Sequence, residues 1–146
     1  MARLSYSYTR IARGLLERPP HNTLTEPALL LLLRTRLDST AWPIPGVLTL
    51  GVAGLAERFN ATPAKVKRLV RELHDAGLVS FDATARLLYC RGAIEEDPPV
   101  SEQSTKAFAL KLRDLPSCGV RDEIAGAIRR VLERASIVSS SSCGRS

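Results

Sequence analysis

The chain has 146 residues and a net charge of +6, with 45% hydrophobic and 25% charged residues. These values predict one compact globular domain with an ordinary core, and they argue against a disordered chain. The three cysteines form no CxxC pair and have no histidine at ligand spacing, which argues against a disulfide framework and against a zinc site. We therefore expect a cytoplasmic protein, in a compartment that keeps thiols reduced.

The positive charge is concentrated in the first two thirds of the sequence. Residues 1–49 carry six basic and three acidic side chains, and residues 50–91 carry seven basic and four acidic ones. Residues 92–135 carry seven basic and eight acidic side chains. A basic excess in one part of a small protein is typical of a surface that faces nucleic-acid phosphates, although it also serves solubility alone. The charge pattern favours a nucleic-acid partner over that alternative.

The first 49 residues predict an arm, a helix and a short strand. Residues 1–22 are predicted to be an N-terminal arm, whose first part fits a strand, a short helix or a segment packed on the domain. Thr25 marks the start of a helix over residues 26–38. This helix is apolar nearly all round in its first two turns, which predicts burial on most of its sides. After a loop, residues 46–48 could form a short first strand.

A helix-turn-helix pattern follows. We expect Thr49 to cap a helix over residues 50–59, whose apolar positions follow helical spacing. The pair Thr62-Pro63, a hydroxyl cap and then proline at the first helical position, is a strong start signal for a second helix that runs to residue 76. The apolar residues of this second helix fall at i, i+3, i+4 and i+7 on one stripe, namely Val66, Leu69, Val70 and Leu73.

Two short apolar runs, residues 78–81 and 86–91, flank the polar turn 82–85 and predict a β-hairpin. The order of helix, short turn, basic helix, Gly-Leu-Val and hairpin resembles the winged helix-turn-helix pattern. We therefore expect a mainly α fold with a small β-hairpin. In this prediction residues 23–91 form a winged helix-turn-helix domain, followed by two additional C-terminal helices.

Residues 92–135 are predicted to be a C-terminal helical extension. The acidic run 95–97, next to two prolines, is better explained by a solvated loop than by a metal site. Two amphipathic helices over 104–115 and 120–135 could fold back on the domain or form a homodimer with another copy of the chain. Residues 136–146 are serine-rich and predict a disordered tail.

Eight residues are candidates for contact with double-stranded DNA. In a DNA-bound helix-turn-helix, residues at the start of the second helix reach base edges while flanking residues hold phosphates. Arg68 is the candidate for guanine readout because its forked guanidinium can bond O6 and N7 together. The candidates for base contacts are Thr62, Ala64, Lys65 and Arg68, and those for phosphate contacts are Thr49, Lys67, Arg71 and Arg86. Ordinary solvation of a basic helix face is the alternative.

The sequence offers no set of residues suited to catalysis. His21 and His74 are far apart in the sequence, and no acid–histidine–nucleophile arrangement is visible. We expect His74 only to favour the negative end of its helix. The apolar run 28–33 has six residues, far short of a bilayer span. We therefore predict a non-enzymatic protein with no cofactor, no bound metal and no membrane contact.

Over residues 23–135 the chain resembles the winged-helix domain of bacteriophage and prophage replication proteins, such as replication initiators and replisome organisers. The resemblance lies in the segments EPALLLLLRTRLDS, PGVLTLGVAGLAERFNATPAKVKRLVRELHDAGLVSFD, ARLLYCRGAIEEDPP and ALKLRDLPSC. It implies binding of double-stranded origin DNA and recruitment of replication proteins, in the cytoplasm of a bacterial host cell. The helix-turn-helix part alone equally suits a small dimeric transcriptional regulator of the GntR or MarR kind, or a winged-helix adaptor that binds protein only.

Overall fold

The computed structural model describes residues 13–142, which are mainly helical with one small antiparallel sheet. Two short 3₁₀ turns, Leu15–Glu17 and His21–Thr23, precede the regular elements. The helices are α1 Glu26–Leu37, α2 Val52–Arg58, α3 Pro63–Asp75, α4 Ala93–Glu96, α5 Glu102–Asp114 and α6 Gly119–Ser142. The strands are β1 Val47–Leu48, β2 Val79–Asp82 and β3 Leu87–Cys90. Residues 1–12 of the predicted arm and residues 143–146 lie outside the described part.

β3 is the central strand of the sheet, with β1 and β2 antiparallel on either side of it. The predicted hairpin and the predicted short first strand are therefore confirmed. β1 can lie close to the end of β3 because Gly46 precedes it. Gly46 has a φ of 71°, and a Cβ atom added there would lie 2.5 Å from the Cβ of Ala93. This position requires glycine for both its conformation and its space.

α2 begins later than the sequence predicted. The prediction that Thr49 caps a helix over residues 50–59 is wrong, because the helix begins at Val52 with the extended Gly51 as its N-cap residue. Thr49 is instead held by the loop before β1. Its backbone N–H donates to Thr40 Oγ1 at 2.7 Å, and the two threonine hydroxyls lie 2.9 Å apart. These contacts occupy the hydroxyl that was expected to cap the helix.

α3 begins at Pro63 as predicted and ends at Asp75, one residue before its predicted end, and it also fixes the start of α1. The Thr62 hydroxyl accepts a hydrogen bond from the Lys65 backbone N–H at 3.2 Å, which confirms the cap. Thr25 does not cap its own helix with its side chain. Its backbone N–H and its hydroxyl donate to the two carboxylate oxygens of Glu72, at 2.7 and 2.8 Å. A carboxylate of α3 therefore accepts a hydrogen bond from the unpaired backbone N–H at the start of α1 and joins the two helices.

α1 is less buried than its composition suggested. The sheet and α3 pack against one side of it, and the buried residues are Ala28, Leu31, Leu32, Thr35 and Arg36. Leu30 and Leu37 on the other side are each 57% exposed. The prediction of burial on most sides is therefore wrong, because the small sheet and α3 do not surround the helix.

The two C-terminal helices fold back on the domain, one of the two arrangements that the sequence left open. Residues 120–128 of α6 bury one side against the sheet and α4. At this contact, Glu123 accepts hydrogen bonds from the Ser80 hydroxyl and from Arg91, the latter at 2.6 Å from Nε to Oε1. α5 packs on α6 and buries Phe108. The C-terminal helices thus contribute to the same core as the sheet.

α6 continues to Ser142, past its predicted end at residue 135. The prediction of a disordered tail over 136–146 is therefore wrong for residues 136–142. That prediction rested on the serine content of the segment. The helix continues because a helix that is already docked gains one backbone hydrogen bond for each residue it adds. Neither α6 nor any other described helix is both long and apolar enough to cross a membrane.

The acidic run 95–97 is not the solvated loop that the sequence predicted. Glu95 and Glu96 belong to the short helix α4, and each forms an ion pair. Glu96 accepts a hydrogen bond from Arg36 at 2.7 Å, and Arg36 is 3% exposed. Glu95 lies 3.4 Å from an Arg130 guanidinium nitrogen. Burying the Arg36 charge without a partner would be costly, so the acidic run is held against the domain.

Glu96→Ala should lower the free energy of unfolding by about 3 kcal/mol, because it leaves the buried Arg36 guanidinium without its carboxylate. Urea denaturation followed by circular dichroism measures the change. The matched control is Glu102→Ala, which removes the exposed pair with Lys106 at 3.4 Å and should cost less than about 1 kcal/mol. Equal losses for the two variants would contradict a special role for the buried pair.

Burial raises the pKa of the Cys90 thiol to about 11, and the nearby Arg36 charge offsets this only in part. A thiol whose pKa is raised in the folded state stabilises the fold fully below its ordinary pKa of 9.0, and this contribution is lost as the pH rises toward 11. Between pH 8.5 and 10, the protein should therefore lose about 1 kcal/mol more stability than its Cys90→Ala variant. Urea denaturation of both proteins across this range measures the difference, and parallel pH profiles would contradict it.

Candidate nucleic-acid interface

The exposed side of α3 is basic and lies opposite its buried stripe. With about 100° of rotation per residue, Lys67, Arg68 and Arg71 fall within one sector of roughly 100° of the helix surface. Their side chains and the small Ala64 line one shallow groove. In the described part of the chain, none of these three cations forms an ion pair. Three positive charges are therefore presented together to solvent.

Thr49 and Arg86 extend this basic surface toward the hairpin. They line a groove over the start of α2, together with Ala83 of the hairpin turn and Val52. Ala83 and Val52 also line the adjoining groove that contains Lys67 and Arg71. The two grooves are therefore continuous. We call this surface the basic face, and its residues are Thr49, Ala64, Lys67, Arg68, Arg71 and Arg86.

Gly51 allows Arg86 to reach the start of α2. A Cβ atom added at Gly51 would lie 3.1 Å from Arg86 Cγ and 3.6 Å from the Ala83 carbonyl oxygen. The stem of Arg86 therefore lies directly over this glycine. Arg86 has a φ of 56°, in the left-handed region that non-glycine residues rarely adopt. The hairpin turn ends at Arg86. Within the turn, the Asp82 carboxylate accepts a hydrogen bond from the Ala85 N–H at 2.8 Å.

Two of the eight predicted residues lie apart from the basic face. Thr62 is exposed at the start of α3, where its hydroxyl accepts the capping hydrogen bond. Lys65 is also exposed, but its side chain lines a different groove, between α1 and α3. The structure therefore brings six of the predicted residues together, and Lys65 lies beside Arg68 but lines the groove that faces α1.

An apolar strip that the sequence did not indicate lies within the basic face. Phe81 and Val52 are both half-buried and line the groove beside Lys67 and Arg71. In the sequence, Phe81 is one of several apolar residues in the predicted hairpin, and nothing marks it as a surface residue. Its place follows from the packing of the hairpin beside α2 and α3, which joins segments that are far apart along the chain.

The described residues contain no group of three or more His, Cys, Asp or Glu side chains that could hold a metal ion. His74 is exposed near the end of α3, with Nδ1 3.7 Å from an Asp75 carboxylate oxygen. His74 also lines the groove beside Lys67 and Arg71, so its role at the helix end stays a prediction. Comparisons of the chain with protein-family models, with curated proteins and with solved structures gave no match.

Arg86→Gly should leave the protein as stable as the parent or more stable by up to about 1 kcal/mol, since glycine adopts a positive φ without steric cost. It also removes the cation that lies over Gly51. Arg86→Ala is the matched control, because it removes the same cation and keeps the backbone cost. Urea denaturation should give the glycine variant a higher free energy of unfolding than the alanine variant. The reverse order would show that the positive φ at residue 86 costs no stability.

Proposed function

We propose that residues 23–91 form a winged helix-turn-helix that binds double-stranded DNA, with α3 as the recognition helix and β2–β3 as the wing. The carrying observation is the basic face, on which Lys67, Arg68 and Arg71 are exposed together on α3. The order of the elements supports the fold, because α2, a short turn, α3 and the hairpin follow one another as in that motif.

The proposed binding mode places α3 in the major groove. Ala64, near the start of the helix, has a small side chain and permits a close approach to the bases. Arg68 is the proposed guanine contact. Lys67, Arg71 and Arg86 are the proposed phosphate contacts, and they would fix the position of the helix on the duplex. The half-buried Phe81 and Val52 between them fit contacts with apolar sugar or thymine methyl surface.

The wing contributes little to the proposed contact. Its turn, residues 82–85, carries one charged side chain, the carboxylate of Asp82, which is occupied by a backbone N–H of the same turn. Arg86 lies at the base of the wing rather than at its tip. A wing of this kind suits contact with the adjacent phosphates, and insertion into the minor groove is not part of this proposal.

We further propose that the protein acts in the initiation of DNA replication or in its control, in a bacterial host cell. This part rests on the sequence resemblance to phage replication proteins. The packing of α6 bears on the alternative of a dimeric regulator. Its residues Ile124 and Ile128 are buried in the core of its own chain, so this half of α6 does not present a free apolar face to a second copy. We favour the replication role on the basis of the sequence resemblance.

DNA binding should be strongly salt-dependent, because each phosphate contact releases condensed counterions. Fluorescence anisotropy with a labelled duplex, repeated over a series of salt concentrations, measures the slope of log Kd against log salt. Lys67→Ala and Arg71→Ala should each reduce the magnitude of this slope by about 1. The matched controls are Lys106→Ala and Arg113→Ala on α5, which should leave it unchanged. Absence of duplex binding at low salt, or a slope near zero, would contradict the proposal.

The same assay with a panel of duplex sequences separates base contact from phosphate contact. Arg68→Ala should reduce the discrimination between sequences by about 1–3 kcal/mol at the position it reads. Lys67→Ala should weaken binding to all sequences alike. If the two variants change every sequence equally, Arg68 has no role in base readout.

A further inference from the structure

Leu30 is an exposed leucine on a helix whose neighbouring residues face the core. Its side chain is 57% exposed, whereas Leu31 beside it is 3% exposed. Single exposed leucines are common on protein surfaces and require no explanation by themselves. Leu30 differs because it forms the edge of an apolar groove.

This groove runs between α1 and the turn that joins α2 to α3. Pro27 and Leu30 form one wall, and Phe59 and Ala61 of the turn form the other. Buried aliphatic side chains of α1 and α3, including Leu31, form the floor. Walls and floor are apolar, so the groove suits a bulky aliphatic or aromatic side chain from a binding partner.

Two cations lie at the rim of the groove. The Arg34 guanidinium sits 4.5 Å from the centre of the Phe59 ring, and its Nε lies 3.8 Å from an Asp38 carboxylate oxygen. These contacts hold the Arg34 side chain beside the groove and neutralise part of its charge. Lys65 lies across from it, exposed, and forms no ion pair with other residues between 13 and 142. An apolar groove with a cationic rim complements a partner that carries carboxylates beside its apolar anchor.

Two other occupants fit these observations less well. The N-terminal segment 1–12 of the same chain carries Arg3 and Arg10 and no acidic residue, so the cationic rim would repel it. Duplex DNA offers phosphates for Lys65 but no apolar group of the size that the groove accepts. The groove also lies on the side of α3 that faces α1, whereas the grooves of the basic face contain no residue of α1.

We infer that this groove binds an acidic amphipathic helix of a protein partner, with a large apolar residue between Leu30 and Phe59 and carboxylates beside Arg34 and Lys65. A helix suits this combination, because residues at i, i+3 or i+4 and i+7 share one face and can present an apolar anchor beside carboxylates. The inference does not depend on DNA binding, since Leu30 lies outside the basic face.

The test is a display selection with a random library of peptides of about 16 residues, roughly four helical turns, against the full chain. Enriched peptides should carry Asp or Glu next to large apolar residues at helical spacing. Fluorescence anisotropy with the enriched peptides then compares the parent protein with two variants. Leu30→Asp should weaken binding by at least about tenfold. Leu37→Asp is the matched control, because Leu37 is equally exposed on the same helix but lies outside the groove, and it should bind as the parent does.

Each other outcome overturns the inference. It fails if no peptide is enriched, if the enriched peptides lack acidic residues, or if they bind the Leu30→Asp variant as tightly as the parent. Light scattering that shows a dimer of the parent and a monomer of Leu30→Asp would assign the groove to a second copy of the chain. Loss of duplex affinity in Leu30→Asp would assign it to DNA. Circular dichroism of the variants confirms that the fold is intact in every comparison.

Discussion

The burial of β3 is the constraint on which the rest of the structure depends. All four of its residues are buried, and β1 and β2 occupy its two edges. Successive side chains of a strand point to opposite faces of its sheet. Cys90 lies beside Arg36 of α1, while Tyr89 lies near Glu123 and Arg130 of α6. One face of the strand therefore requires α1 and the other requires α6, so the C-terminal helices complete the core.

Start and stop signals near each helix predicted much of the fold, because they depend on local chemistry. The Thr62-Pro63 pair set the start of α3, and its apolar stripe is buried as its spacing indicated. Two errors arose where a distant residue decides the outcome. Thr49 bonds to the loop before β1 and does not cap α2, and the acidic run pairs with Arg36, 60 residues earlier in the chain. Composition alone favoured a solvated loop there, because it carries no information about a buried arginine.

The candidate site was predictable to a similar extent and for the same reason. Helical periodicity placed Lys67, Arg68 and Arg71 on the solvent side of α3, and the structure presents them there. The position of Arg86 beside them depends on the space left by Gly51, which becomes evident only when the hairpin is packed. The surroundings of Lys65 could not be predicted from the sequence. Lys65 belongs to the same basic segment, but the groove that it lines is formed only when α1 packs beside α3.

The contact between Glu72 and Thr25 has an electrostatic consequence for the basic face. α3 carries two acidic residues as well as its cations, and both lower the net charge that is counted for this segment from the sequence. Both carboxylate oxygens of Glu72 accept hydrogen bonds at the start of α1, where the aligned peptide dipoles are positive. Much of its negative potential is therefore compensated by these two hydrogen bonds and by the dipole of α1. The electrostatic field at the basic face is therefore more positive than the residue count suggests, so the contact that joins two helices also offsets one of the two acidic charges of α3.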